Sequence, residues 1–419
     1  MRRTVLGFWA VLALLWAGPA AADPVAAALE ADDPIAIDEL LRNPKGLSAG
    51  QVALLTGAAA AMRFDDQAAI EALTKAVAAN GMTQAVRRQA LSLLGGVQLR
   101  ANNYAAAAAA LDAAIAISDP TQSEDARRSA KQTRDVAFAL RNEAAQTHEP
   151  LKPGAVPIKR DMANLPRSIG RVNGQEQEFI LDTGAGYSTI TRSTAARLNV
   201  RLLPDQITVG SATSKAVPAQ LGIGANVEIA GNVFHNVVFL VMADEALTFG
   251  GGQYKIDAIL GFPVLARLGR IEFARAGEGE TFRVAQPSSA AGVARDLYLD
   301  VLKPMAMVEI AGAGRVRMLL DSGARRSSLN ATFASAYPAM VQNAPSEKQT
   351  IGGAGAMKTI EVRLLRNVAV VADGRARRVE AISVSDEKKA EHGALGQDVL
   401  RAEGGFALDF AAMDFVFLP

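Results

Sequence analysis

Hydrophobic and polar positions follow two different periods along this chain of 419 residues. Residues 24–147 are rich in alanine, carry leucine and isoleucine at helical spacing and keep proline at the edges, which predicts a helical region. From about residue 160 the pattern changes to short β-rich runs separated by turns that contain glycine or asparagine. The chain is therefore expected to hold two to three domains, as its length also favours.

The helical region repeats itself. Segments 57–77 and 96–117 align at a constant offset, which pairs Gly57 with Gly95, Ala69 with Ala107, Leu73 with Leu111 and Ala76 with Ala114. The pattern resembles tetratricopeptide helix hairpins, whose repeat is shorter. That resemblance implies a surface for a protein partner. A plain bundle of alanine-rich helices is the alternative.

The β-rich region also consists of two similar halves. In the first, a hairpin around Asn173-Gly174 returns through "EFILDTGAGYSTIT" (178–191) and delivers Asp182 to the end of an apolar strand. In the second, a hairpin returns through "RMLLDSGARRSSLN" (317–330) and delivers Asp321 in the same way. Burial of an ionised carboxylate costs free energy. Each aspartate is therefore expected at such a position only if its neighbours or its function compensate for that cost.

Two further features recur at matched distances after each aspartate. A hydroxyl side chain, Ser188 or Ser327, stands six residues on, and an apolar pair ending in glycine follows much later. These pairs are Ile259-Leu260-Gly261 and Ala394-Leu395-Gly396. A single D-[ST]-G triplet could be only an Asx-type turn, but the matched pair is far more specific.

The region from about 160 to 419 therefore resembles two fused retropepsin-like aspartic protease lobes, the arrangement of pepsin-like enzymes. The fold expected from this resemblance is multidomain: an all-β, bilobal aspartic protease preceded by an α-helical repeat-like domain. The boundaries predicted from the sequence are a signal peptide (1–22), the helical domain (23–147), a linker (148–160), the N-terminal lobe (161–283), a second linker (284–295) and the C-terminal lobe (296–419).

The resemblance implies roles for the residues of the two loops. Asp182 and Asp321 would be the catalytic pair, because two carboxyls in contact share one proton and titrate as a unit. Four neighbours would support the loops: Gly184 and Gly323 admit backbone amides, and Thr183 and Ser322 link the loops.

Glycine-containing hairpins would cover the substrate as flaps. Their predicted residues are Gly210 and Ser211 in the first lobe, and Ile351, Gly352 and Gly353 in the second. The first hairpin lacks the glycine run and the tyrosine that are usual in the family.

Arg325 and Arg326 directly follow the second loop and depart from the family pattern. A guanidinium close to the aspartates would favour their ionised form. A protease fold that has lost its activity is therefore an alternative, which Ala394, smaller than the residue usual there, also favours.

Composition excludes several other functions. The chain has no cysteine and three isolated histidines, so we expect no disulfide, thiol nucleophile, metal site or cofactor. A formal net charge of +1, without a basic patch, argues against nucleic acid as a partner.

The N-terminus is typical of an exported protein. Arg2 and Arg3 precede an apolar run at 5–18, and Ala20-Ala21-Ala22 offers a cleavage site. A membrane anchor is the alternative, but the run is shorter than the roughly 20 residues that a span requires. We expect a periplasmic or secreted protein with no membrane span after cleavage.

The function expected from the sequence is that of an exported aspartic endopeptidase. A peptide or protein substrate would lie extended between the lobes. The alternative is a catalytically inactive envelope protein that binds peptides or acts as a scaffold.

Overall fold

The computed structural model of the protein describes residues 23–120, 122–211, 213–277, 279–288 and 296–419. The predicted signal peptide at 1–22, and residues 289–295 of the predicted second linker, lie outside the described residues. No helix within the described ranges is long and apolar enough to cross a membrane.

The predicted helical region is confirmed. Several of its helices begin at side-chain caps; at Ser48, for example, the hydroxyl accepts from the Gln51 N–H while the Gln51 side chain accepts from the Ser48 N–H, a capping box. The helices are α1 (Pro24–Glu30), α2 (Pro34–Arg42), α3 (Ala49–Met62), α4 (Asp66–Ala78), α5 (Gln84–Arg100), α6 (Tyr104–Ala116) and α7 (Glu124–Leu140).

Gly57 and Gly95 occupy the same place in successive helical hairpins. A Cβ on Gly57 would lie 2.6 Å from Cγ of Leu73, and a Cβ on Gly95 would lie 2.5 Å from Cγ of Leu111. Each glycine therefore lets its helix approach the next one closely, α3 against α4 and α5 against α6. This close approach explains why glycine and leucine recur together in the sequence.

The N-terminal lobe is built mainly of strands. The hairpin predicted around Asn173-Gly174 is present, and both residues have positive φ (50° and 80°). The strands are β1 (Thr147–His148), β2 (Gly154–Arg160), β3 (Pro166–Val172), β4 (Gln175–Leu181), β5 (Ser188–Thr191), β6 (Arg201–Val209), β7 (Val217–Ile229), β8 (Asn232–Met242), β9 (Thr248–Phe249), β10 (Tyr254–Lys255), β11 (Ala258–Leu260), β12 (Arg270–Ala276) and β13 (Gly279–Ala285), with helices α8 (Arg192–Arg197) and α9 (Phe262–Leu265).

The C-terminal lobe repeats this plan. Its strands are β14 (Leu297–Asp300), β15 (Lys303–Ile310), β16 (Gly314–Leu320), β17 (Ser328–Leu329), β18 (Ser346–Gly353), β19 (Ala356–Ala372), β20 (Arg375–Val384), β21 (Gly393–Leu395), β22 (Gly405–Asp409) and β23 (Asp414–Phe417), with helices α10 (Ala331–Ala336), α11 (Pro338–Val341) and α12 (Gln397–Leu400). The bilobal, all-β architecture expected from the resemblance is thus observed.

One segment predicted as linker, residues 148–160, is largely structured. Its second half forms β2, which pairs with β13 on one side and β3 on the other. Proline and lysine made this stretch look like a linker. Pro157 has no N–H to donate, but its carbonyl accepts from the Ser168 hydroxyl at 2.7 Å, so the strand tolerates it.

The two lobes share a sheet. Strands β22 and β23, from the end of the chain, continue the sheet of β12, β13 and β2 by pairing β22 with β12. Phe273 and Phe406 stack within this sheet, with ring centroids 4.6 Å apart. Main-chain hydrogen bonds and aromatic packing therefore fix one lobe on the other.

The helical domain packs against both lobes. Tyr104 and Leu140 join a buried cluster with Ile207 and Val217 of the N-terminal lobe. On the other side, helices α1–α5 share a cluster with strands β14–β16, in which Met305 is buried. The helical domain thus forms one body with the lobes.

Candidate active site

Asp182 and Asp321 begin equivalent loops at the ends of β4 and β16. Strand β11 runs parallel to β4 behind the first loop, and β21 runs parallel to β16 behind the second. The N–H of Asp182 donates to the carbonyl of Leu260, and that of Asp321 to the carbonyl of Leu395, both at 3.0 Å. The apolar pairs found in the sequence therefore anchor the two aspartates.

The loop glycines bring each carboxyl group against the opposite lobe. The Gly184 N–H donates to Oδ1 of Asp182, and the Gly323 N–H donates to Oδ1 of Asp321, both at 2.9 Å. A Cβ on Gly184 would lie 2.5 Å from Cγ of Asp321, and one on Gly323 would lie 2.2 Å from Cγ of Asp182. A side chain at either position would displace a carboxyl group.

Thr183 and Ser322 link the loops reciprocally, and both are fully buried. The Thr183 N–H donates to Oγ of Ser322 at 2.9 Å, and the Ser322 N–H donates to Oγ1 of Thr183 at 3.0 Å. Each hydroxyl also donates across the interface, to the carbonyls of Leu320 and Leu181. These four hydrogen bonds fix the distance between the two loops.

The two later hydroxyls tie the loops to the segments behind them. Oγ of Ser188 accepts from the Gly261 N–H at 3.1 Å, and Oγ of Ser327 accepts from the Gly396 N–H at 2.9 Å. Their equal spacing in the sequence therefore reflects one repeated hydrogen bond.

The two aspartates contact each other and are partly buried. The pKa of Asp182 is raised to about 8 by burial, by the negative charge of Asp321 and by the hydrogen bond between the two carboxyls. Burial also raises the pKa of Asp321, against hydrogen bonds from the Gly323 and Ala324 N–H groups and from Asp182. The pair thus holds a proton at pH values where an ordinary carboxyl group is ionised.

Arg325 and Arg326 do not pair with the aspartates. Both side chains are exposed, and neither forms an ion pair with a carboxylate that the structure describes. The guanidinium of Arg326 lies instead near Asp398. Burial raises the pKa of Asp398, and hydrogen bonds from Ser327 and Val399 and then the charge of Arg326 oppose part of that rise. The pKa values of Asp182 and Asp321 are both raised although these cations lie nearby in the sequence.

The two predicted flaps meet each other. The first is the β6–β7 hairpin, and Gly210 and Ser211 lie at its turn, as predicted. Residues Ile351, Gly352 and Gly353 lie on strand β18, in the second hairpin and directly before its tip. The tip is Ala354-Gly355, because Gly355 adopts a φ of 88°.

Hydrogen bonds connect the two tips. The Ser211 hydroxyl donates to the Ala354 carbonyl at 2.8 Å, and the Gly355 N–H donates to the Ala246 carbonyl at 2.8 Å. Helix α7 holds the first flap from outside, since Gln132 Nε2 donates to the Lys215 carbonyl at 3.0 Å. The bond between Ser211 and Ala354 thus joins the tips of the two hairpins in this structure.

Two site residues were missed by the sequence reasoning. Gln397 follows the apolar pair and glycine of the second lobe, and its side chain reaches the Ser322 carbonyl. Tyr187 ends the first loop and is covered by the helical domain, next to Tyr104 and Leu140. For Gln397, the one indication in the sequence was a polar residue directly after the glycine, where the first lobe has Phe262.

Comparisons with known proteins match each lobe separately. The model of a family described as "Aspartyl protease" matches residues 169–264, and that of "gag-polyprotein putative aspartyl protease" matches residues 306–402. A search of curated proteins gave no match. Among solved structures, a retropepsin-like aspartic protease from Rickettsia conorii is similar at 20% identity and a TM-score of 0.23, over 32% of this chain and 94% of that chain.

The two matches and the two loops that meet at one site define the fold. This chain has a bilobal aspartic protease fold, with a helical domain in front of its two lobes.

Proposed function

We propose that this protein is an exported aspartic endopeptidase in which Asp182 and Asp321 activate a water molecule to cleave peptide bonds. The observation that carries the proposal is the contact between two carboxyl groups whose pKa values are both raised. Such a pair keeps one proton near neutral pH. It therefore presents a base and an acid side by side.

The chemistry needs both protonation states. The ionised carboxylate takes a proton from water while the water oxygen bonds to the peptide carbon. The protonated carboxyl group donates its proton to the carbonyl oxygen, which gives a neutral tetrahedral diol. Proton transfer to the nitrogen then accompanies cleavage of the C–N bond and leaves a free acid and a free amine.

The substrate would lie extended in the cleft between the lobes, under the flaps. Strands at the edge of a cleft bind extended peptides through main-chain hydrogen bonds, and both flaps are strand hairpins. Opening the contact between Ser211 and Ala354 would admit the chain, and closing it would exclude water from the reacting groups.

Export is supported by the sequence at 1–22, which has the basic, apolar and small-residue regions of a signal peptide. A periplasmic or secreted location would supply unfolded or extended proteins as substrates. The helical domain would orient protein substrates or bind a partner.

The test compares the wild-type protein with Asp182→Asn and Asp321→Asn. Each would be incubated with an unstructured protein between acid and neutral pH, and the fragments would be identified by mass spectrometry. We expect cleavage by wild type and a loss of at least about 1000-fold in each variant, because either change removes half of the acid–base pair. The N-terminal residue of the exported protein would test cleavage after Ala22.

The result against this proposal is equally definite. If the wild-type protein binds peptides but never cleaves them, and both variants bind equally well, the protein is a peptide-binding module. Cleavage that persists in both variants would assign the activity to other residues or to a contaminant.

A further inference from the structure

Gln397 joins the two lobes directly behind the second aspartate. Its side chain, at the start of α12, is 1% exposed. Nε2 donates to the carbonyl of Ser322 at 2.7 Å, and Oε1 accepts from Nη1 of Arg160 at 2.7 Å. Arg160 lies on β2, in the sheet that the lobes share.

These contacts form a directed chain of hydrogen bonds that ends on Asp321. The Ser322 carbonyl belongs to the same peptide group as the Gly323 N–H, and this N–H donates to Oδ1 of Asp321 at 2.9 Å. Hydrogen bonds in series polarise one another. A donor on the Ser322 carbonyl therefore strengthens the bond that the Gly323 N–H makes to the carboxylate, and a cation at the far end reinforces it.

The first lobe has no such chain at the matched position. The backbone contacts are equal, since the Phe262 N–H donates to the Ala185 carbonyl at 2.8 Å and the Gln397 N–H donates to the Ala324 carbonyl at 2.9 Å. The side chain of Phe262, however, has no polar atom. The two loops, otherwise symmetric, therefore differ in the support that each carboxylate receives.

We propose that Gln397 is a positioning residue that makes Asp321 the ionised member of the pair and leaves the proton on Asp182. This inference rests on the proposed function, because it assigns base and acid within the same site. Asp321 would then take the proton from water, and Asp182 would protonate the substrate carbonyl. Gln397 itself touches neither substrate nor water.

Other charged groups face this region and belong in the test. Besides Asp182, the cation of Lys389 acts on Asp321. Burial raises the pKa of Asp321, and the charge of Lys389 opposes part of that rise, after the hydrogen bonds to its carboxylate. Behind Gln397, the charge of Arg160 is shared with Glu280, which also pairs with Arg401.

On its own helix, Gln397 is followed by Asp398, which accepts from the N–H and the hydroxyl of Ser327. Burial raises the pKa of Asp398, and the charge of Arg326 opposes part of that rise. Lys389 is the one cation among these groups that acts directly on Asp321. It therefore needs its own variant.

The experiment measures kcat/KM against pH for wild type, Gln397→Met and Gln397→Glu. Methionine fills the space without a donor. Glutamate keeps the shape and the contact with Arg160, but its ionised form cannot donate to the Ser322 carbonyl. Loss of the donor raises the pKa of Asp321, so the acidic limb of the profile should move to higher pH, by about half a unit or more for methionine and further for glutamate.

Two controls separate this role from a packing effect. Phe262→Leu changes the matched position in the other lobe and should leave the acidic limb where it is. Lys389→Gln should itself move the acidic limb of the profile. Gln397→Met should move that limb by the same amount in the Lys389→Gln protein as in the wild-type protein. If both Gln397 variants lower kcat/KM by one factor at every pH, Gln397 is only structural and the proposal is wrong.

A second measurement does not depend on catalysis. The melting temperature of wild type and of both Gln397 variants would be followed from pH 3 to 9, with Asp321→Asn as a reference that cannot titrate. If the melting temperature of the Gln397 variants changes over a different pH range from that of wild type, and if this difference disappears when Asp321→Asn is added, Gln397 acts on the titration of Asp321. This result would hold even if the wild-type protein cleaves nothing. Parallel curves for wild type and variants would overturn it.

Discussion

The carboxyl group of Asp182 lies against the backbone of Gly323 in the opposite lobe, so closely that a Cβ there would stand 2.2 Å from Cγ of Asp182. The reciprocal contact, of Asp321 with Gly184, is almost as tight. Each carboxyl group is therefore hydrogen-bonded to its own loop, and the glycine of the opposite loop limits where it can lie. The contact between the two carboxyl groups depends on two residues without side chains.

We accordingly expect Gly184→Ala and Gly323→Ala to lose activity by at least about 100-fold, because displacement of a reacting group by about 1 Å has an effect of that size. Gly186→Ala is the matched control. It lies in the same loop, but its Cβ would meet only Leu302, at 3.8 Å, and its activity should stay within a few fold of wild type. Steady-state kinetics at the optimum pH would measure this. Equal losses in all three variants would contradict the steric argument.

The raised pKa of Asp182 predicts a dependence of stability on pH. A group whose pKa is raised in the folded state contributes stability at low pH and loses it as pH rises through the folded-state value. For Asp182 this loss should extend from the ordinary carboxyl value near 3.8 up to about 8.

Melting temperature against pH would measure this loss. The wild-type protein should lose more stability than Asp182→Asn between these limits, since the amide does not titrate. A wild-type curve parallel to that of the variant would show that the carboxyl pair is not coupled in the folded protein.

The two flaps should differ in mobility. Ile207, Val209 and Val217 of the first flap are buried in the cluster that includes α7, whereas most side chains of β18 and of residues 356–361 in the second flap are exposed. Elements with few buried apolar contacts open most easily. We therefore expect the second flap to move when substrate binds, while the first stays on α7.

Cross-linking distinguishes these movements cleanly, because the natural chain has no cysteine. A short bismaleimide joining Ser211→Cys to Ala354→Cys should stop cleavage by locking the tips together. The same reagent joining Gln132→Cys to Lys215→Cys should leave cleavage largely intact, since it fastens a flap that does not need to move. Loss of activity in the second pair alone would reverse the assignment.

The sequence predicted features that repeat, and missed those that occur once. The aspartate loops, the apolar pairs behind them and the serines six residues on appear twice, and a repeated local pattern reports a repeated local geometry. The glycine run predicted the second hairpin, whereas only the positive φ of Gly355 shows at which residue that hairpin turns. The contact of Arg160 with Gln397 joins residues far apart in the chain, and no local pattern encodes such a contact.

Asp66 joins the helical domain to both lobes. Its carboxylate accepts from Arg100 and from Arg267 of the N-terminal lobe, at 2.8 and 2.7 Å. Arg100, which is 6% exposed, also donates to the carbonyl of Val301 in the C-terminal lobe at 2.9 Å. Loss of the carboxylate would leave the buried guanidinium of Arg100 and the partly exposed guanidinium of Arg267 without their counter-ion.

Asp66→Asn should therefore lower the free energy of unfolding by about 3–5 kcal/mol, the usual cost of removing one partner from a buried ion pair. Glu176→Gln breaks the exposed pair with Arg171 and should cost at most about 1 kcal/mol. Denaturant unfolding would measure both. If Asp66→Asn costs no more than the control, or unfolds the helical domain in a separate transition, the domain is an independent appendage, and it cannot hold the first flap in place as the cross-linking prediction requires.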